Sequence, residues 1–86
     1  MVLLDFWAEW CPTCKALTPV LEEFAAQYSH KVAVAAVDAD RNPGTAARYS
    51  VASVPTLLLF RGGQMLRRIS GTQTKATLIR ELSELL

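Results

Sequence analysis

The sequence predicts an α/β domain of three layers, α/β/α, built on a mixed four-stranded sheet. Short apolar runs of strand length alternate along the chain with stretches of helical periodicity. The first two runs flank a helix, and a crossover helix makes the strands it joins parallel. The last two runs are separated by Arg61-Gly62-Gly63, a tight turn that makes them an antiparallel hairpin. Eighty-six residues suffice for one such domain, residues 1–86, without a second core.

Residues 2–7 (VLLDFW) form a nearly unbroken apolar run, as in a strand buried on both faces. Leu17, Val20, Leu21, Phe24 and Tyr28 then recur at the i, i+3, i+4 spacing of an amphipathic helix. Pro12 suits the first position of that helix, because the N–H it lacks would be unpaired there. Pro19 falls inside the helix, removes the backbone bond to Lys15, and predicts a kink. Residues 32–37 (VAVAAV) read as the second strand. Asn42 and Pro43 read as the cap and first residue of a short helix. Residues 56–60 (TLLLF) and 64–70 supply the third and fourth strands. Thr74 is expected to cap a last helix that buries Leu78, Ile79, Leu82 and Leu85.

Half of the residues are hydrophobic and a fifth are charged, the profile of a globular rather than a disordered chain. A net charge of +1 gives no general attraction to nucleic acid or anionic lipid. The nearest thing to a basic cluster is Arg67-Arg68, which a solvated strand face explains. No apolar run approaches membrane-spanning length. The apolar opening Met1–Leu4 lacks a basic flank and is interrupted by Asp5, unlike a signal peptide. The expectation is a protein of the reducing cytosol with no nucleic-acid or membrane partner. In that compartment a purely structural disulfide is disfavoured.

The stretch WAEWCPTCKALTP, residues 7–19, holds the only two cysteines, Cys11 and Cys14. A closed zinc site usually takes four ligands, and this pair supplies two. The only histidine, His30, lies near the far end of the helix, roughly 25 Å away at 1.5 Å rise per residue. Zinc would therefore need a second chain. A structural bridge across two residues closes too short a loop to stabilise much. Thiol–disulfide exchange fits the placement better. Cys11 sits where the helix begins, and unpaired N–H groups there favour its thiolate. Cys14 lies one turn further in, on the same face, expected to be the more buried and within bonding reach. No metal is needed.

Asp5 adds to this. In a strand buried on both faces its carboxyl points into the interior. Burial without a partner costs several kcal/mol for the charged form, so the expectation is a raised pKa and a proton retained near neutrality. Such a group can exchange a proton with Cys14.

These residues resemble the thioredoxin family. DFWAEWC, the proline at position 19, VDADRNPGTAARY, SVPTLLLFRGG and the glycine at position 71 recur in that family at similar spacing, over essentially the whole chain. The resemblance implies a thioredoxin-like fold that begins at the family's second strand, without its first strand and helix. It implies that Cys11 attacks, Cys14 resolves, and Asp5 is the buried acid. It also implies that Trp10, Val54, Pro55 and Gly71 form an apolar rim for the substrate backbone, with a cis bond before Pro55. Two positions depart from the family pattern. Pro12-Thr13 stands where Gly-Pro is usual, more reminiscent of glutaredoxins and bacterial disulfide oxidants. Ala36 stands where a lysine usually neighbours the acid, which should raise the Asp5 pKa further.

The function implied is reduction of protein disulfides by dithiol–disulfide exchange, with no bound cofactor. The partners implied are disulfide-containing proteins and an NADPH-dependent thioredoxin reductase. Two other readings remain open on sequence. One is a thiol oxidant or glutaredoxin-like protein; the other is a module holding an iron–sulfur cluster or zinc across a dimer. Lacking the family's first strand, Val32 to Val37 becomes an edge with no charge, proline or bulge. Self-association through it, or marginal stability, is expected, and a lysine at an outward position such as Val34 should oppose association.

Overall fold

The computed structural model describes residues 1–71 and 74–86. The element order is β1 (Val2–Trp7), α1 (Pro12–Gln27), β2 (Ala33–Asp38), α2 (Pro43–Arg48), β3 (Thr56–Arg61), β4 (Gln64–Ser70) and α3 (Lys75–Ser83). The sheet runs β2-β1-β3-β4. β1 is parallel to β2 and antiparallel to β3, so it lies at the centre, with Asp5 opposite Ala36 on one side and Leu57 on the other. The mixed four-stranded sheet read from the sequence is the one observed.

Strand alternation sorts the core into two layers. Leu3, Leu57, Leu59 and Ile69 face Leu17, Leu21 and Phe24 of α1 and Leu78 and Leu82 of α3. Phe6 and Leu58, on the opposite face, meet Ala46 of α2, with Tyr49 and Phe60 at the margin. The Tyr49 ring packs edge-on against both Phe6 and Phe60, at 6.3 and 5.5 Å between centroids. Leu3, Phe6, Phe24, Leu58, Leu78 and Leu82 are fully buried. Each such side chain contributes about 1.5–3 kcal/mol over leaving it exposed. This core anchors β1 through its middle and delivers its C-terminal end to the loop that carries the cysteines.

Local signals account for most boundaries. Gly62 and Gly63 both have positive φ, 57° and 81°, the backbone of a two-residue hairpin turn that other residues adopt only with strain. Thr74 caps α3, its hydroxyl accepting the Thr77 N–H at 3.1 Å. α1 continues through Pro19 as a single helix. Asn42 occupies the cap position of α2, but its side chain does not cap. Its Nδ2 donates instead to the Asp38 carbonyl at 3.0 Å, holding the turn that precedes the helix.

β2 differs from its expected bounds by one residue. Val32 is buried just before the strand, its N–H donating to the Tyr28 carbonyl that ends α1. Pairing with β1 begins at Ala33. Val34 is not outward: it packs against the core on the α1 face, the side shared with Leu3, its neighbour across the ladder. The exposed positions of β2 are Ala33, Ala35 and Ala36. Among the described residues β2 pairs with β1 alone and forms one edge of the sheet. No helix among them is long and apolar enough to cross a membrane.

Candidate active site

The site sits in the loop from β1 to α1 and the segments packed beside it. Cys11 is the N-cap of α1, in extended conformation, with Pro12 as the first helical residue. Its own N–H donates to the Ala8 carbonyl at 3.1 Å, which closes the turn out of β1. Its Sγ accepts the backbone N–H of Cys14 at 3.1 Å. A sulfur thus takes the part that a serine or aspartate oxygen plays at other helix starts. Negative charge on that atom would be met by an N–H and by the positive end of the helix.

Cys11 and Cys14 are joined as a disulfide, their Cα atoms 5.3 Å apart. One helical turn separates the two residues, so their side chains share a face and meet without backbone rearrangement. The expected difference in burial is absent: Cys11 is 2% exposed and Cys14 4%. Both are buried in one cluster with Ala8, against which Trp7 and Val54 pack. What distinguishes the two cysteines is position. Cys11 holds the helix end and lies beside a rim of residues that includes Val54; Cys14 is inside the first turn.

That rim is assembled from three places in the chain. The Val54–Pro55 bond is cis, and the Val54 carbonyl lies 4.0 Å from Cys11 Sγ. Gly71, at φ 80°, donates its N–H to the Pro55 carbonyl at 3.0 Å. The Thr56 hydroxyl donates to the Ser53 carbonyl at 2.8 Å and fixes the entry to β3. Val54, Pro55 and Gly71 are therefore brought together next to Cys11. Trp10, which precedes Cys11, is 68% exposed. Its indole Nε1 donates to Asp40 Oδ2 at 2.7 Å. An open cavity of about 320 Å³ joins Trp10 and Val54, lined also by Asp40, Ala46 and Ser53 among others.

Asp5 lies beneath the pair. It is 9% exposed and faces α1, on the same side of β1 as Leu3. A second cavity of about 320 Å³ is lined by Asp5, Cys14, Trp7, Lys15, Thr18 and Ala36. A third, of about 250 Å³, reaches Asp5 from the side of Val34 and Glu22. Burial pushes the Asp5 pKa up from 3.8 to about 6. The direction is the one expected, but the extent is not: at pH 7 the group is mostly a carboxylate. The two cavities leave room for water beside the carboxyl. Ala36, directly across the ladder from Asp5, provides that room, where a longer side chain would fill it.

Two residues of the site escaped the sequence reading. Asp40 is 30 positions from Trp10, and nothing in a linear pattern links them. Thr13 Oγ1 lies 3.2 Å from Cys11 Sγ; its place between the cysteines was the available signal. Among the described residues no three His, Cys, Asp or Glu side chains cluster closely enough to hold a metal ion.

The site thus combines a cysteine pair at a helix start, a cis-proline loop against Cys11 and a buried acid beside Cys14. A family model described as Thioredoxin matches residues 1–84. The chain belongs to the thioredoxin family. It is 52% identical over 83 residues to a thioredoxin of Mycobacterium tuberculosis, covering 96% of this chain and 72% of that one. It is 49% identical over 83 residues to a protein of Mycobacterium leprae named bifunctional thioredoxin reductase/thioredoxin, covering 96% of this chain and 18% of that one. The solved structure of a mutant thioredoxin from Halobacterium salinarum superposes with a TM-score of 0.89 at 40% identity, over 96% of this chain and 72% of that one. The family and the close cysteine pair make this protein a disulfide reductase that works by dithiol–disulfide exchange through Cys11 and Cys14. Its substrates are disulfide-containing proteins.

Proposed function

We propose that the exchange runs with Cys11 as the attacking thiolate, Cys14 as the resolving thiol and Asp5 as the base that serves Cys14. The observation that carries this order is the seat of Cys11 Sγ at the start of α1, where it accepts the Cys14 N–H. In the reduced protein the Cys11 thiolate attacks one sulfur of a substrate disulfide. A mixed disulfide forms and the other substrate sulfur leaves as a thiolate. Cys14 then gives its proton to the Asp5 carboxylate and attacks Cys11 Sγ. The intramolecular disulfide closes and the second substrate sulfur departs. Two electrons have passed from the protein dithiol to the substrate. Asp5 suits its task at pH 7 because it is ionised there, yet its pKa of about 6 is close enough for ready proton transfer.

Trp10, Val54, Pro55 and Gly71 are the substrate-binding residues of this reading. Their support is the Val54 carbonyl 4.0 Å from Cys11 Sγ, the Gly71 N–H bonded to the Pro55 carbonyl, and the exposed Trp10 beside Cys11. The disulfide is returned to the dithiol by an NADPH-dependent thioredoxin reductase. The Mycobacterium leprae relative, whose name joins the two activities in one protein, supports that pairing. A reducing compartment, the cytosol, suits a dithiol that must be kept reduced. The open edge of β2, with Ala33, Ala35 and Ala36 exposed, supports pairing with a second copy at high concentration.

The test is turnover. The protein should accelerate dithiothreitol-driven reduction of insulin, and a thioredoxin reductase with NADPH should replace dithiothreitol. Failure with both electron donors would overturn the reductase reading. Recycling by glutathione in preference to the reductase would favour a glutaredoxin-like protein.

A further inference from the structure

The chain departs from its family's usual pattern between the cysteines, and the structure shows what the departure brings. Thr13 Oγ1 is 3.2 Å from Cys11 Sγ. In the disulfide neither sulfur carries a proton, so the threonine hydroxyl is the donor of that contact. Thr13 is the second residue of α1, and side chains there lean back toward the helix start, which is where Cys11 sits. Pro12, the residue before it, has no N–H to offer. The hydroxyl thus adds a second donor to the same sulfur, beside the Cys14 N–H.

We infer that Thr13 is a catalytic residue of this protein, its hydroxyl donating a hydrogen bond to the Cys11 thiolate and so tuning both attack and redox poise. The inference rests on Cys11 being the attacking cysteine, as proposed above. A hydrogen bond to sulfur gains strength when the sulfur becomes an anion. The hydroxyl therefore favours the reduced, thiolate form over the disulfide, where its acceptor is neutral. Two effects follow. More Cys11 is ionised at a given pH, and the dithiol is stabilised relative to the disulfide, which makes the protein a weaker reductant than a variant without the hydroxyl. Neither effect needs a new ligand or partner.

Thr13→Val removes the hydroxyl and keeps the shape; Thr13→Ser keeps the hydroxyl and loses a methyl. Both are made in the full chain, with Thr13→Ala in reserve should valine prevent folding. The charged groups around the pair are Glu9, two residues before Cys11, Asp5 and Lys15 in the cavity beside Cys14, and Asp40 in the cavity lined by Trp10 and Val54. They are the same in every variant, so a difference reports the hydroxyl. At pH 6, alkylation of Cys11 by iodoacetamide should fall about three- to tenfold in Thr13→Val and by less than about twofold in Thr13→Ser. Equilibration with glutathione should move about three- to tenfold toward the disulfide in Thr13→Val, which is about 15–30 mV, and little in Thr13→Ser. Parent-like alkylation and equilibrium in Thr13→Val would overturn the assignment. So would Thr13→Ser behaving like Thr13→Val, since shape and not the hydroxyl would then be responsible. The parent's insulin turnover separates the two levels: its absence would refute the reductase reading, whereas these comparisons test Thr13 on the thiol itself.

Discussion

Asp5 of β1 and Cys14 of α1 line the same cavity, one from the sheet and one from the helix above it. A carboxylate and a thiol that share a water-accessible space can exchange a proton directly or through one water. With its pKa near 6, Asp5 should impose its titration on resolution of the mixed disulfide. The rate of that step should decline as pH falls through about 6, because the protonated acid can no longer accept. Asp5→Asn should slow resolution about tenfold or more at pH 7 and erase the inflection. Single-turnover kinetics across pH 5–8 would show it. An unchanged profile would mean that Cys14 loses its proton by another route.

The same burial has a cost in stability. The folded protein holds the Asp5 proton more tightly than the unfolded chain does, about 6 against 3.8. Stability therefore falls as pH rises from below 3.8 to above 6, and the full cost is present at pH 7. It is on the order of 2–3 kcal/mol. Asp5→Asn should recover on the order of 1–3 kcal/mol at pH 7 and little below pH 4. Urea melts at the two pH values would measure this. A variant less stable at pH 7 would show that the carboxylate makes compensating interactions.

Trp10 is exposed yet held, because Asp40 accepts its indole N–H. Asp40 is itself positioned by the turn in which Asp38 Oδ1 accepts the N–H groups of Asp40 and Arg41. Asp40→Ala should free the indole and raise KM for a protein substrate about two- to fivefold, the worth of roughly one net hydrogen bond, with little change in kcat. Tryptophan fluorescence should report the released ring. A fall in kcat at unchanged KM would place Asp40 in the chemistry instead of in the rim.

The edge strand calls for a charge at a position that truly faces out. Val34 packs on the core, so a lysine there would damage the fold. Ala35 is exposed. Sedimentation at high concentration should show self-association of the parent and less of it in Ala35→Lys, with melting unchanged. Equal association in both would direct attention away from β2.

The legible parts of this molecule were those set by local rules. The apolar run from Val2 to Trp7, the helical spacing of Leu17, Leu21 and Phe24, the Gly62-Gly63 turn and the Thr74 cap each act within a few residues, and each was found where expected. The parallel first pair and the antiparallel last pair followed from the crossover helix and the hairpin, whereas the pairing of β1 with β3 that joins them did not. The cysteine pair was legible because a helix start has its own chemistry. Properties set by packing across the fold were not. The similar exposure of Cys11 and Cys14 belongs to a cluster that joins them to Ala8, Trp7 and Val54 from separate parts of the chain. The extent of the Asp5 pKa shift depends on how deeply packing across the fold buries the carboxyl, which no residue type announces. Asp40 reached the site through a turn formed far along the chain.

The order of attack is tested most directly by trapping. Reduced Cys14→Ser and reduced Cys11→Ser are each mixed with a disulfide-containing protein substrate, quenched with acid, and weighed by mass spectrometry. Cys14→Ser should accumulate an adduct of one substrate half joined to Cys11, and Cys11→Ser should accumulate little. An adduct forming as fast on Cys14, in the variant that lacks Cys11, would contradict the assignment of the attacking thiolate to the start of α1.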